Sequence, residues 1–379
     1  MRPGFFSWGR FVAVLSKEFI QMRRDRLTFA MIVGIPIMQL ILFGFAINTD
    51  PKALPTVVVV SDPGVLSRTL VRGIENTGYF RIVRETNDEA LADRLLDLGD
   101  VQFSIVIPVD FERRLVRGER PAVLVAADAA DPAATGNAVA ALNMLAGRVL
   151  ARDLTGTYGR AAAAPTPFEM RIQRRYNPEI VTAYNIVPGL LGTILTMTMI
   201  MMTAFAMTRE RERGTMENLL ATPVRPLEVM AGKIVPYIIV GYLQVTLILA
   251  AARFLFHVPM IGSLVLLSAA LIVYIAANLA VGFTFSTLAR NQLQAMQMTF
   301  FFFLPSILLS GFMFPFAGMP HWAQIVGSVF PLTHFLRVVR GVLLKGNDVL
   351  EVLPHVWPIA LFMLVAATIA LLRYRETLD

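Results

Sequence analysis

Six uninterrupted apolar runs, at about 27–47, 184–208, 234–256, 263–288, 295–316 and 355–372, constrain this chain more than any other feature. Each is near or above the roughly 20 residues a helix needs to cross a hydrocarbon layer of about 30 Å. Inside that layer an unpaired amide finds no water, so runs of this length close their hydrogen bonds internally, as helices. Composition agrees: the chain is 56% hydrophobic, with a mean hydropathy of +0.61 and only 16% charged residues, where an average soluble domain carries about 25%. The runs predict a polytopic α-helical membrane protein with six transmembrane helices.

The formal charge of +7 and pI of about 10.0 would suggest nucleic acid in a soluble protein. Here the basic residues fall at span ends: Arg2, Arg10, Lys17, Arg23, Arg24 and Arg26 before the first run, Arg209, Arg211, Arg213, Arg225 and Lys233 between the second and third, and Arg373 and Arg375 after the last. This is the bias of cytoplasmic loops, and no nucleic-acid motif accompanies it. An even number of spans then leaves both termini cytoplasmic, and the short outer loops hold only Arg253, Arg337, Arg340 and Lys345. The absence of cysteine excludes disulfides, thiolate nucleophiles and cysteine metal sites, and leaves the redox compartment open. No cleavable signal is expected, because the basic N-terminus leads into a full-length span.

Residues 1–26 read as a cytoplasmic N-terminus. In "WGRFVAVLSKEFIQMRR" (8–24), Trp8, Phe11, Val12, Leu15, Phe19 and Met22 fall within an arc of about 100° on a helix, with Arg10, Lys17, Gln21 and Arg24 opposite. Such a helix lies flat in the membrane interface. After the first span (27–47), residues 48–183 change character. "PTVVVV" (55–60), "YFRIV" (79–83), "VQFSIVI" (101–107) and "AVLVAA" (122–127) read as strands, "NDEALADRLLDLG" (87–99) as a helix between them, and about 133–159 as a longer helix. "FEMRIQRRYNP" (168–178) reads as the lead back to the bilayer. The whole is one α/β domain outside the membrane. It lacks a glycine-rich phosphate loop and any acid-histidine cluster, which suits binding or docking better than catalysis. Residues 184–379 hold the other five spans. Within them 317–345 is too interrupted by Pro and Gly for a plain span and too apolar for a free loop, so it is expected to dip into the outer leaflet as short re-entrant helices packed on protein.

Several chemistries have no residues to carry them. The spans contain no Asp, Glu or Lys, with Arg253 and His355 near boundaries, so a built-in ion relay is not expected. No G-x-x-x-x-G-K-[ST] loop is present to cradle nucleotide phosphates. His257, His321, His334 and His355 are far apart in the chain and share no metal-ligand spacing. The nineteen methionines serve as ordinary lipid-facing fillers rather than a soft-metal path.

One polar insert stands out. "TRERERGTMENLLATPVRP" (208–226) emerges from the second span, where Gly214 permits a change of direction. Met216, Leu219 and Leu220 at i, i+3, i+4 give a short helix one apolar face, and Pro223 and Pro226 forbid its continuation into the next span. A topology-setting loop accounts for the arginines but not for that face, nor for Glu210, Glu212, Glu217 and Glu228; a docking helix for a cytoplasmic partner accounts for both.

The run from Glu210, Arg211 and Glu212 through Gly214-Thr215, Leu219-Leu220, Thr222-Pro223 and Glu228 to Gly232-Lys233 resembles the signature of ATP-binding-cassette exporter permeases of the type-2 class. "KEFIQMRRDR", "YNP" (176–178), "VPGL" (187–190), "LPSILLSGFMFPFAGMP" (304–320) and "FPLTHFLRVVRGVLLKG" (330–346) resemble the branch with a large extracytoplasmic domain. The resemblance covers nearly the whole chain. It implies a non-enzymatic membrane subunit in the bacterial inner membrane, paired with a second, identical or paralogous permease and seated on separate ATPase subunits that bind ATP and Mg. It further implies that 209–223, with Glu210, Glu212, Gly214, Thr215, Met216, Leu219, Leu220, Thr222 and Pro223, is the ATPase-coupling helix, and that 8–24, with Phe11, Leu15, Phe19 and Arg24, is the elbow helix. By the same likeness the outer helices, with Pro331, His334, Arg340 and Gly341, close the outer end of the pathway, and the outer domain meets a periplasmic adaptor or the substrate. Direction of transport rests on this likeness.

Without dense charge in the spans, the expected cargo is lipophilic or amphipathic, a drug or lipid-like molecule entering from the bilayer. Asn185, Thr193, Thr196, Tyr242, Gln244, Asn278, Thr284, Gln294 and Gln297 are neutral polar groups of the kind that join helices in membranes, with a minority expected to face a path. Two rivals stand beside export: an ion-coupled secondary transporter, against which the ion-free spans count, and a membrane-anchored sensor, which needs fewer spans.

Overall fold

The computed structural model describes residues 51–130, 132–150, 166–179, 181–212 and 226–373. The amphipathic stretch with Phe11, Leu15, Phe19 and Arg24, the first apolar run, and Gly214, Thr215, Met216, Leu219, Leu220, Thr222 and Pro223 lie outside the described residues.

The first described unit is an α/β sandwich. Its elements are β1 (Leu54–Val60), α1 (Val65–Asn76), β2 (Phe80–Thr86), α2 (Glu89–Leu98), β3 (Phe103–Ile107), α3 (Phe111–Val116), β4 (Ala122–Asp128), α4 (Pro132–Ala146) and β5 (Glu169–Arg175). The sheet order is β2-β1-β3-β4-β5. Every neighbouring pair is parallel except β3 and β4. The valine run of β1 works because successive side chains leave opposite faces. Leu54 and Val58 join Leu70 and Ile74 of α1 and Phe111 of α3 on one side, and Val57 and Val59 join Ala92 and Leu96 of α2 on the other. Each fully buried side chain of this size contributes about 1.5–3 kcal/mol.

Local chemistry sets the ends of α2. Asp88 Oδ1 accepts from the amides of Ala90 (2.9 Å) and Leu91 (3.2 Å), filling two of the orphan donors at a helix start, and Gly99 closes it in the left-handed region at φ 78°. β5 corrects the expectation that 168–178 merely leads to the bilayer. Phe168, Met170 and Ile172 point into the core, while Glu169, Arg171 and Gln173 alternate outward, a period of two masked by charge. The helix expected over 133–159 ends at Ala146, and 151–165 lie outside the described residues.

The second unit is helical: α5 (Thr182–Glu212), α6 (Pro226–Phe254), α7 (Leu264–Leu288), α8 (Gln292–Leu309), α9 (His321–Val329), α10 (Pro331–Arg340), a π-turn (Gly341–Lys345) and α11 (Val349–Arg373). Five of these are long and apolar enough to cross a membrane, and α9 with the α10–π-turn segment is a bent pair, broken at 85°, that makes a sixth only if it is counted as one span. With the described spans numbering five to six, the chain is a polytopic membrane protein. The run expected to reach 316 stops at Leu309, because Gly311 turns the chain in the left-handed region (φ 86°) and Pro315 leads into a short 3-10 turn, Phe316–Gly318. The last helix starts earlier than 355, at Val349, where the Asp348 amide donates to Glu351 Oε2 at 2.9 Å, half of a capping box.

α7 is the central helix, packed between α5 and α11. Its Tyr274 is fully buried, shares a hydrogen bond with Thr196, donates to the Gly192 carbonyl at 3.0 Å and stacks on Phe335 with ring centroids 4.0 Å apart. Gly282 brings α7 against α5: a Cβ there would lie 2.5 Å from the Ile200 carbonyl oxygen and 2.9 Å from Thr203 Cβ. Backbone cannot give way as a side chain can, so Gly282→Leu is expected to destabilise the helical unit by about 1–3 kcal/mol, read as earlier thermal aggregation in detergent. Gly136→Ala, where nothing lies within 4 Å, is expected to leave the midpoint unchanged or raise it.

Candidate functional site

Two of the short sequence patterns, YNP and the stretch 330–346, meet at one place: the joint between the α/β unit and the broken helix pair. Pro331 stands at the first position of α10, where its missing N–H costs nothing and its fixed φ starts the new helix. The last carbonyls of α9 are claimed across the break. Thr333 Oγ1 donates to Gly327 O at 2.6 Å, and His334 Nε2 bonds to Ser328 O at 2.8 Å. At the far end of α10, Gly341 lets Asn347 close in, since a Cβ would lie 2.8 Å from Asn347 Nδ2. The irregular π-turn then finds partners in the loop before α7: Ile261 N donates to Leu343 O (3.2 Å) and Gly262 N to Val342 O (3.0 Å). Arg340 Nη1 donates to Gly311 O at 3.4 Å, tying α10 to the turn after α8.

Lys345 joins the two units. Its ammonium lies 2.6 Å from Asp128 Oδ2 at the end of β4, with side chains only 8% and 14% exposed. It also donates to Leu96 O at 3.2 Å and stands 4.9 Å over the Tyr176 ring. Tyr176 donates its hydroxyl to Asp97, and Asn347 Nδ2 donates to the Asp97 carbonyl at 3.4 Å. Burial first, then the Asp97 carboxylate, push the Tyr176 phenol above its ordinary value, so it stays a donor. Asn177 follows, its Oδ1 accepting from Val181 N at 2.8 Å, and turns the chain into α5. The pair Lys345–Asp128 was hidden in the sequence by a separation of 217 residues; the only hint was a lone lysine in an apolar segment.

Above the joint is a cavity of about 910 Å³, walled by the base of the sheet, the turn after α8 and the start of α9 and α10. Gly311, Phe316, Gln324, Arg337, Arg340 and Lys345 line one side, and Lys52, Arg81, Asp97, Asp100, Gln102 and Asp128 the other. His334 and His355, distant in the chain, are brought together with ring centroids 6.1 Å apart. Among the described residues no group of three His, Asp or Glu is placed to hold a metal ion.

At the opposite end of α5 the structure places Glu212. Its carboxylate accepts from the backbone amide of Gln292 (2.8 Å) and from the Gln292 side-chain amide. These bonds, the side-chain one first, hold the carboxyl below its ordinary value, and they bind the end of α5 to the first turn of α8. Glu210 lies in the last turn of α5. Inside the spans some polar groups join helices, while others, such as Thr193 and Asn278, bond to carbonyls of their own helix. Tyr242 meets Ser268 at 2.8 Å, Thr198 donates to Gln244 at 2.9 Å, and Thr284 to Ala366 O at 3.1 Å.

The Lys345–Asp128 pair is open to a double-mutant cycle. Lys345→Met or Asp128→Leu alone leaves an uncompensated buried charge and is expected to cost about 3 kcal/mol, while the double variant costs less than the sum. Equilibrium unfolding in mixed micelles reads this, and strictly additive losses would contradict the pairing.

Residues 26–372 match the family model described as ABC-2 family transporter protein. The chain is 29% identical over 375 residues to the probable multidrug ABC transporter permease YbhS of Escherichia coli (strain K12), covering 97% of this chain and 96% of that protein. It is 26% identical over 367 residues to the probable multidrug ABC transporter permease YbhR of the same organism, covering 97% and 98%. ABC transporter G family member 20 of Dictyostelium discoideum is 23% identical over 348 residues, covering 88% of this chain and 46% of that one. No solved structure matches the chain. The family match runs from the start of the first apolar run to the end of the last helix, and the chain therefore belongs to the ABC-2 family as a membrane permease of an ABC transporter.

Proposed function

We propose that this permease is the membrane half of an ATP-driven exporter, working as a pair with a second permease subunit on separate cytoplasmic ATPase subunits that bind the ATP and Mg. Family membership supports the ATPase partner. The relatives' names, multidrug permeases and, for YhhJ of Escherichia coli at 29% identity over 362 residues, an inner membrane transport permease, support a lipophilic or amphipathic cargo and an inner-membrane location. In this reading both termini are cytoplasmic, 8–24 is the elbow helix, and the α/β unit stands outside the membrane, within reach of a periplasmic adaptor.

The observation that carries the proposal is the tie between Glu212 and Gln292. The segment 209–223 begins where α5 is fastened to α8, so a push on that segment reaches two spans at once. α5 has 31 residues, about 46 Å at 1.5 Å per residue, and its other end follows directly from Tyr176 and Asn177. Displacement at the ATPase thus has a stiff route to the joint under the α/β unit. Coupling requires that the ATPase contact differ between nucleotide states, and Met216, Leu219 and Leu220 supply the apolar part of that contact, with Glu210 and Glu212 at its rim.

Leu219→Ser with Leu220→Ser is expected to leave the permease in the membrane and ATP hydrolysis running, while export falls about 5- to 150-fold, the range of a 1–3 kcal/mol coupling term. Cargo accumulation in inverted vesicles supplied with ATP measures this. Export at the unaltered rate would overturn the assignment of 209–223.

A further inference from the structure

We propose that the loop between α6 and α7 is a bilayer anchor: it lies in the lipid headgroup region on the side of the α/β unit and binds an anionic phospholipid through Arg253. The apolar stretches of the two flanking spans are Tyr237–Phe254 and Leu264–Leu288, so the loop is 255–263. A connection that runs through water is normally polar, and a cluster of exposed apolar side chains marks a surface that something covers. Here Phe254, Leu255 and Val265 are 76%, 72% and 80% exposed, and Phe256, Ile261 and Leu264 stand open beside them. The cluster continues a row of exposed side chains along α6, Ile239, Leu243 and Leu247. Phe254 follows two turns beyond Leu247 on the same face, so the surface that meets hydrocarbon lower down runs on into the loop.

The other side of the loop is fixed to protein. Val258 is fully buried with Ala130, Val187 and Leu344, and His257 turns the chain in the left-handed region (φ 53°). The backbone is paired as lipid demands and water does not. Leu255 and Phe256 donate to Ala251 O, Val258 to Ala252 O, Ile261 to Leu343 O and Gly262 to Val342 O, at 2.9–3.2 Å, and Pro259 has no donor to pair. Arg253 is exposed beside the apolar cluster and its side chain has neither an ion pair nor a hydrogen bond. Its place in the last turn of α6 suits the negative end of a helix, which accounts for a cation but not for the apolar collar around it. An arginine at the membrane edge lays its stem along lipid and reaches the headgroup with its guanidinium, whose paired donors match phosphate oxygens. A protein surface over the same cluster would have to bring a carboxylate to Arg253; a bilayer brings phosphate at that depth. Because Ile261 and Gly262 also hold the π-turn, the lipid contact bears directly on the broken helix pair.

Membrane location alone is needed here, not export or its direction. Phe256→Cys, in a chain with no cysteine of its own, is labelled with the fluorophore NBD in the full-length permease, in mixed phosphatidylcholine and phosphatidylglycerol nanodiscs. Lipid carrying a nitroxide near the headgroup is expected to quench it strongly and aqueous iodide weakly, the reverse of the same label at Arg94→Cys on the exposed side of α2. Nitroxide phosphatidylglycerol is expected to act at about fivefold lower concentration than nitroxide phosphatidylcholine, the contribution of one arginine near an anionic surface. That preference is expected to vanish in Arg253→Gln and to persist in Arg253→Lys. Quenching by the phosphatidylcholine probe is expected to stay in both, which shows the loop still in place. Iodide quenching as strong as at Arg94→Cys would put the loop in water and overturn the proposal. Shielding from lipid and iodide alike, with oxidation joining two Phe256→Cys chains, would put a second copy where the lipid belongs and overturn it equally. Equal response to the two lipids with Arg253 in place, or a preference that survives Arg253→Gln, would contradict headgroup recognition by this arginine.

Discussion

Hydrocarbon offers no hydrogen bonds, and that single deficit dictates most of this molecule. It forces the long apolar runs into helices, and it makes the two stretches that break the regular α-helix, after α8 and after α10, the structural problem of the fold. Both are solved by protein atoms. The π-turn gives carbonyls to Ile261 and Gly262, the turn at Gly311 gives one to Arg340, and α9 ends on Thr333 and His334. What those partners leave exposed is roofed by the α/β unit, with α2 and β4 set directly over Lys345.

A roof held by a nearly buried ion pair is also a mechanical joint. The α/β unit is fixed to the broken pair through Lys345 and to α5 through the Tyr176–Asn177 turn, so these parts share one foundation. α5 continues from that foundation to Glu212, where it meets α8. The proposed exporter would need such a continuous strut, and α5 supplies one among the described residues. Some neutral polar side chains of the spans brace it across helices, as Thr196 does with Tyr274 and Thr198 with Gln244.

Much of this was legible in the chain. Apolar length located five spans, and Pro and Gly spacing located the broken pair, because both signals are local. The four strands with valine, isoleucine and aromatic runs were legible for the same reason. β5 was not, since only Met170 and Ile172 stand among charged neighbours and the strand exists by pairing with β4. Span ends shifted where a backbone turn, Gly311, or a cap, Asp348 with Glu351, outweighed hydropathy. The joint itself was illegible: Asp97, Asp128, Tyr176 and Lys345 are ordinary residues until the sheet and the helices bring them together, and His334 with His355 is a pairing of the same kind.

The central claim is that the α/β unit and the segment 209–226 lie on opposite faces of the membrane, joined by α5. The chain has no cysteine, so a single cysteine reports its own location without a background. Arg94→Cys, on the exposed side of α2, and Asn218→Cys would be labelled with a membrane-impermeant maleimide in right-side-out and in inverted vesicles. Labelling of Arg94→Cys only in the former and of Asn218→Cys only in the latter is the expected result; both positions reacting from the same face would contradict the account.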